Sequence, residues 1–290
     1  MSLHSNIYQK KINYIIKNYP HWSKLKNKTV LITQLSKTTN LLIEVLMNTK
    51  IVDCYNISVI VIEEHLNKFK KSNLTYNKST NFHVYPEELC YIMINSEKID
   101  YIIHQEKYTD SLNESIISIN QVLLWAHYSQ VTKLIYLSST KIYGIINNLI
   151  GEPIKEQRFG YLNCNTPDSL SIEKIRINET ICQAYISKYN INVVIMRLAP
   201  LFTTVSPPLL IIDSSKKERK KATAAYFCHI SDAVSAILHL LTNGDQGQAY
   251  NVASPSEKLF LDNQTSLVNI DTTKMKNLGW VGLYMVTSNH

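Results

Sequence analysis

A chain of 290 residues with 45% hydrophobic content, 18% charged residues and a formal net charge of +7 carries enough apolar material for one large core, which excludes the disordered and fibrous classes. No apolar run approaches the roughly 20 residues that cross a bilayer, and the stretch from Met1 to Lys28 lacks the apolar run of a signal peptide. A cytoplasmic chain without a membrane span is expected.

In chain order, residues 1–28 are expected to form a helical N-terminal extension, residues 29–200 a core of alternating strands and helices, and residues 201–290 a C-terminal lobe whose segments 226–253 complete the sheet. Thr29–Thr33 is a β-branched and aliphatic strand, followed by a polar turn and a helix over Asn40–Met47. Ile57–Ile62 predicts a second strand, Phe82–Val84 a weak third, and Ile99–Ile103 a fourth that ends at His104. A helix over Ser111–His127, a strand over Leu134–Leu137, a helix over Asp168–Lys188 and a strand over Ile191–Met196 follow. Phe227–Ile230 is a further strand, Ser231 is expected to cap the helix after it, and Ala249–Val252 is the last strand. Strands alternating with helices imply an α/β fold with a doubly wound parallel sheet.

Five scattered cysteines without Cys-x-x-Cys spacing predict reduced thiols and no metal site. The basic run Lys216–Lys221 reads as a solvated loop, since no further basic or aromatic positions share a face with it, so no nucleic-acid partner is expected.

Several stretches recur in a meaningful order. Ile99-Asp-Tyr-Ile-Ile-His104, Asn120, Leu137-Ser-Ser-Thr-Lys-Ile-Tyr-Gly144, Glu173, Arg176, Glu179-Thr-Ile-Cys182, Arg197-Leu-Ala-Pro-Leu-Phe202, Phe227-Cys-His-Ile-Ser-Asp-Ala-Val234, Ala249-Tyr-Asn-Val-Ala253 and Leu278-Gly-Trp280 together resemble the NAD-dependent epimerase/dehydratase family of extended short-chain dehydrogenases. The resemblance spans nearly the whole chain. It implies a Rossmann-like doubly wound core over residues 29–200, a C-terminal substrate lobe over 201–290 that is shortened relative to the family, and a nucleotide-sugar enzyme with NAD or NADP as the ancestral cofactor.

The residues that such chemistry needs are missing at three places. A dinucleotide is held where glycines let the backbone approach the pyrophosphate at a helix N-terminus. The register that the family fills with Thr-Gly-x-x-Gly-x-x-Gly here reads Thr33-Gln34-Leu35-Ser36-Lys37-Thr38-Thr39-Asn40, and the first glycine of the chain is Gly144. The degenerate loop positions are therefore Gln34, Lys37 and Asn40, and no bound cofactor is expected.

In the family a Tyr, made acidic by a Lys four residues later, serves as base because an ordinary phenol titrates near 10. Alignment on Glu179 puts these two positions at Ser171 and Ile175; a one-residue shift puts them at Leu170 and Lys174, and neither register contains the tyrosine. Ser139 matches the polarising Ser/Thr and reads as vestigial. The diphosphate-binding Arg is replaced at Ala225 or Tyr226.

The leading expectation is a non-catalytic member acting as a scaffold or regulatory subunit, pairing as a homodimer or with an active paralogue through helices 111–127 and 168–188. One alternative is an active epimerase or dehydratase with atypical site residues. Another is a small-ligand sensor built on a residual pocket of His104, Lys107, Tyr143 and Arg197, with Lys37, Lys107 and Arg197 as anion contacts.

Overall fold

The computed structural model describes residues 3–63, 79–87, 98–107, 111–144, 152–166, 169–203, 226–254 and 269–282. Its centre is a seven-stranded, wholly parallel sheet in the order β3-β2-β1-β4-β5-β6-β9. The strands are β1 (Thr29–Ile32), β2 (Ser58–Ile62), β3 (Phe82–Tyr85), β4 (Tyr101–Gln105), β5 (Lys133–Ser139), β6 (Val193–Leu198) and β9 (Ala249–Val252). A two-stranded parallel pair, β7 (Leu201–Phe202) with β8 (Cys228–His229), stands apart.

Both faces of a parallel sheet are covered, so its strands are apolar without a break, and successive side chains feed two cores. Val30 and Ile32 point into one core, beneath α1 (Leu3–Asn18), α2 (Lys37–Leu46) and α6 (Ile230–Asn243); Leu31 points into the other, beneath α4 (Leu112–Tyr128) and α5 (Ser169–Tyr189). A short helix, α3 (Thr49–Tyr55), links α2 to β2, and α7 (Thr273–Asn277) lies beside β9. The N-terminal helix belongs to the first core: Ile12 and Ile15 are buried there, and Tyr19 donates its hydroxyl to Leu238 O at 2.9 Å.

The strand order reverses between β1 and β4. In open α/β sheets the crevice outside the carboxyl ends at that switch point is where ligands lie.

Three local expectations need correction. The fourth strand begins at Tyr101, not Ile99, because the Asp100 carboxylate accepts the Thr29 N–H at 3.0 Å and pairs with Lys28 at 2.7 Å, which starts the ladder two residues later. His104 is thus inside the strand rather than after it. The cap of α6 is His229, whose Nδ1 accepts the Ser231 N–H at 3.3 Å; Ser231 is already helical. The helix after β1 starts at Lys37 rather than Asn40, since Ser36 and Thr39 form a capping box that turns the chain earlier.

Candidate functional site at the carboxyl edge

The turn after β1 is held by side chains. Ser36 Oγ accepts the Thr39 N–H at 3.2 Å, Thr39 Oγ1 accepts the Ser36 N–H at 2.7 Å, and the Thr39 hydroxyl reaches Gln34 O at 2.9 Å. No residue from Thr33 to Asn40 adopts a positive φ. The three positions that would carry glycine have therefore settled into backbone that any side chain tolerates.

The amides of Lys37 and Thr38, in the first turn of α2, have no intrahelical acceptor by helix geometry, and they sit at the positive end of the helix dipole. With the Lys37 ammonium they make a fitting hold for a phosphate. What the turn lacks is the close approach of bare backbone.

At the end of β4 the side chains part company. His104 is buried, its Nδ1 is 2.8 Å from Thr33 Oγ1, and its ring stacks on Tyr136 with centroids 5.9 Å apart. Burial lowers its pKa to about 4, so the ring is neutral at pH 7, and its Nε2 has no hydrogen-bond partner among the described residues. Glu106 turns toward α5, where its carboxylate accepts from Asn178 Nδ2 at 3.1 Å and lies 3.6 Å from Lys174 Nζ. Asn178 also donates to Ser115 Oγ on α4 at 2.9 Å. Lys107 instead makes an exposed pair with Glu87.

On the far side of the edge, β5 and β6 are tied to α5 by a buried ion pair. Arg197 meets both Glu179 oxygens, through Nε at 3.1 and 3.2 Å and Nη2 at 2.7 Å, and Ser138 donates to the same carboxylate at 2.6 Å. Arg197 Nη1 donates to Tyr143 Oη at 3.1 Å and to Glu156 O at 2.7 Å, while Tyr143 donates to Asn251 Oδ1. Burial, only partly offset by the Arg197 charge, pushes the Tyr143 phenol up to about 12, so it is no base at neutral pH.

The proposed residual pocket of His104, Lys107, Tyr143 and Arg197 is not one place. His104 belongs to the β1–β4 crevice, Lys107 to the surface, and Tyr143 with Arg197 to the β5–β6–β9 network, where every Arg197 nitrogen is already engaged. Ser139 Oγ accepts the Lys141 N–H at 3.2 Å and caps a short 3-10 turn. Ser171 is exposed and Ile175 packs against the core, whereas Leu170 is 43% exposed and Lys174 is buried.

The lysine of the shifted register is thus the one facing inward. The tyrosine position beside it holds no phenol. Tyr226 is half-buried ahead of β8, and Ala225 lies outside the described residues. Among those residues, no group of three or more His, Cys, Asp or Glu side chains comes together as a metal site. No helix among them is long and apolar enough to cross a membrane.

The cluster of Glu106, Asn178 and Ser115 was not legible from the sequence. A partial signal existed: Lys174, Asn178 and Cys182 recur at the four-residue spacing of one helix face.

A sequence model of the NAD dependent epimerase/dehydratase family matches residues 53–253. The match begins after β1 and α2, the part in which the glycines are replaced. A dTDP-D-glucose 4,6-dehydratase of Dictyostelium discoideum is 28% identical over 247 residues, covering 75% of this chain and 54% of that protein, so the chain spans about half the length of that relative.

Among solved structures, a dTDP-glucose 4,6-dehydratase from Bacillus anthracis in complex with NAD aligns with TM-score 0.64 at 17% identity, over 89% of this chain and 94% of that one. A UDP-glucuronic acid 4-epimerase from Bacillus cereus in complex with NAD aligns with TM-score 0.62 at 16% identity, over 90% and 92%. The expectation that no cofactor is bound does not stand, because the matching family is NAD dependent and these similar structures are NAD complexes. In physical terms, loss of the glycines removes one way of approaching a pyrophosphate and leaves the helix end that attracts it.

Proposed function

Because the chain belongs to the NAD-dependent epimerase/dehydratase family, we propose that it holds an NAD-type dinucleotide across the β1–β4 crevice yet does not turn over a nucleotide sugar, and serves as a non-catalytic subunit in nucleotide-sugar metabolism. When bound, the dinucleotide would supply a hydride acceptor. This chain's part is to bind its phosphates with the Lys37 and Thr38 amides and the Lys37 ammonium.

The observation that carries the silent half of the reading is on α5. Lys174 faces inward, but Leu170, four residues before it, is exposed and apolar, and the Lys174 ammonium is already opposite Glu106. A lysine without a phenol has no base to activate. The subunit role draws on the outer faces of α4 and α5, where Ile117 is 64% and Tyr128 74% exposed and Leu170 joins them. Apolar side chains of that size on neighbouring helices suit a second copy or a related active chain in the cytoplasm.

Calorimetric titration with NAD, run beside a turnover assay with dTDP-glucose and UDP-sugars, tests both halves. Binding without turnover is the expected result. Turnover would remove the silent half, and absence of binding would remove the cofactor half.

One observation favours a second reading. The Glu106–Lys174 pair, largely shielded from solvent, sets a carboxylate 3.6 Å from an ammonium and would be the acid–base pair in place of the missing phenol. An active enzyme of that kind would lose turnover in Glu106→Gln while still binding NAD.

A further inference from the structure

The α5 helix has a second working face, turned away from the crevice toward the edge of the sheet. There, between α5, the loop that carries Phe159, and strands β6 and β9, lies a cleft of about 460 Å³. This is within the 300–1,000 Å³ typical of small-molecule sites.

Its floor is apolar, made by Ile142, Ile195 and Ala249. Phe159 forms one wall and is 60% exposed, with the Arg197 guanidinium 5.4 Å from its ring centroid. A ring held against a cation on one side and open on the other is a stacking surface.

The polar groups sit on α5. Arg197 and Glu179 neutralise one another at the back of the cleft. Arg176 is differently placed. Its Nε donates to Ile142 O at 3.1 Å and its Nη2 to Gly160 O at 3.0 Å, which fixes the guanidinium, while Nη1 lies 3.6 Å from Glu173 in a partly exposed i,i+3 pair. Such a pair contributes little and is readily exchanged for a better-placed oxyanion. Thr180, exposed one turn further along α5, brings a hydroxyl that already donates to Arg176 O and keeps its lone pairs for an acceptor role.

We infer that this cleft binds a planar aromatic acid, its ring stacked on Phe159 above the apolar floor and its carboxylate on Arg176. The site is separate from the dinucleotide crevice, lying on the opposite side of α5 from Lys174 and Asn178. It does not depend on the function proposed above.

The probe is 8-anilinonaphthalene-1-sulfonate, an aromatic oxyanion that fluoresces when it leaves water, titrated into the full chain. One saturable site is expected. Benzoate should displace the probe and benzyl alcohol, of the same shape without the charge, should not.

Phe159→Ala and Thr180→Trp, both at exposed positions, should each weaken binding at least tenfold with unchanged circular dichroism. Excess NAD should leave the bound probe in place. Displacement by NAD would assign the probe to the crevice and overturn the inference, as would equal competition by benzyl alcohol or full affinity in both variants. Whether NAD itself binds is read in the same titration from the protein without probe, so failure of one site does not mask failure of the other.

Discussion

The two halves of the carboxyl edge follow different rules. On the β5–β6–β9 half, motif residues are present and each is spent on structure: Arg197, Glu179, Ser138, Tyr143 and Asn251 form one buried network in which charges and hydroxyls satisfy each other. On the β1–β4 half, the motif glycines are replaced at Gln34, Lys37 and Asn40, and the residues between and beside them, Ser36, Thr39, His104 and Glu106, make hydrogen bonds of their own. Residues that hold strands to a helix survive loss of chemistry, because the fold still needs them. Residues that exist to admit a cofactor do not carry that protection.

The sharpest way to break this contrast is to remove one carboxylate from each half. Glu179→Ala leaves the Arg197 guanidinium buried and uncompensated, and a loss of about 3–5 kcal/mol is expected in urea unfolding. Glu106→Ala removes a looser partner, 3.6 Å from Lys174, and about 1–2 kcal/mol is expected. Equal costs would mean that the two halves are built alike.

The next effect concerns pH and the β1–β4 half. His104 has a folded pKa of about 4 against an ordinary 6.5, because burial disfavours its cation. The unfolded chain takes up the proton first as pH falls. The neutral ring's contribution is therefore fully present above pH 6.5 and is lost progressively between 6.5 and 4, by on the order of 1–3 kcal/mol. His229, also lowered to about 4 by burial, works in the same direction, so His104→Gln should reduce the acid slope of a melting-temperature series without abolishing it. An unchanged slope would show that His104 is not buried in solution.

The fold was legible because parallel strands are continuous apolar runs that need no knowledge of their neighbours. One boundary was moved by distant groups, since β4 starts at Tyr101 because Asp100 serves Thr29 and Lys28, which are far away in sequence, whereas the starts of α2 and α6 were set by the local caps Ser36 and His229. The site was legible only where its meaning was local. Ser139 and Tyr143 could be found from a motif, but Arg197 as an internal clamp required knowing that Glu179 lies beneath it on α5. The Glu106–Asn178 contact joins residues 72 positions apart, and no spacing rule announces such a pair. The glycine-free turn was legible as a loss and misleading as a prediction, since sequence shows which side chains are present and not which amides stay open.

That point can be tested on ligand affinity. Lys37→Gln should weaken NAD binding roughly threefold to tenfold, about 1 kcal/mol, by removing a charge-assisted contact to phosphate. Gln34→Gly should strengthen it by restoring backbone access, with melting temperature nearly unchanged in both. If Lys37→Gln binds NAD as well as the parent, the helix end is not the phosphate hold.

The smallest effect separates the turn's structural work from its ligand work. Ser36 caps α2 by accepting the Thr39 N–H, so Ser36→Ala returns one orphan amide to water and costs about 1 kcal/mol. A cap whose only task is to end a helix would show that cost in stability and nothing in binding. The amides of Lys37 and Thr38, however, belong to the first turn of the helix that Ser36 caps. Ser36→Ala should therefore lower NAD affinity as well, and Ser36→Asp, which keeps the cap but adds a negative charge, should restore stability while leaving binding weak. Recovery of binding in Ser36→Asp would mean that the turn contributes shape alone, and that the β1–β4 half attracts its ligand through some other charge.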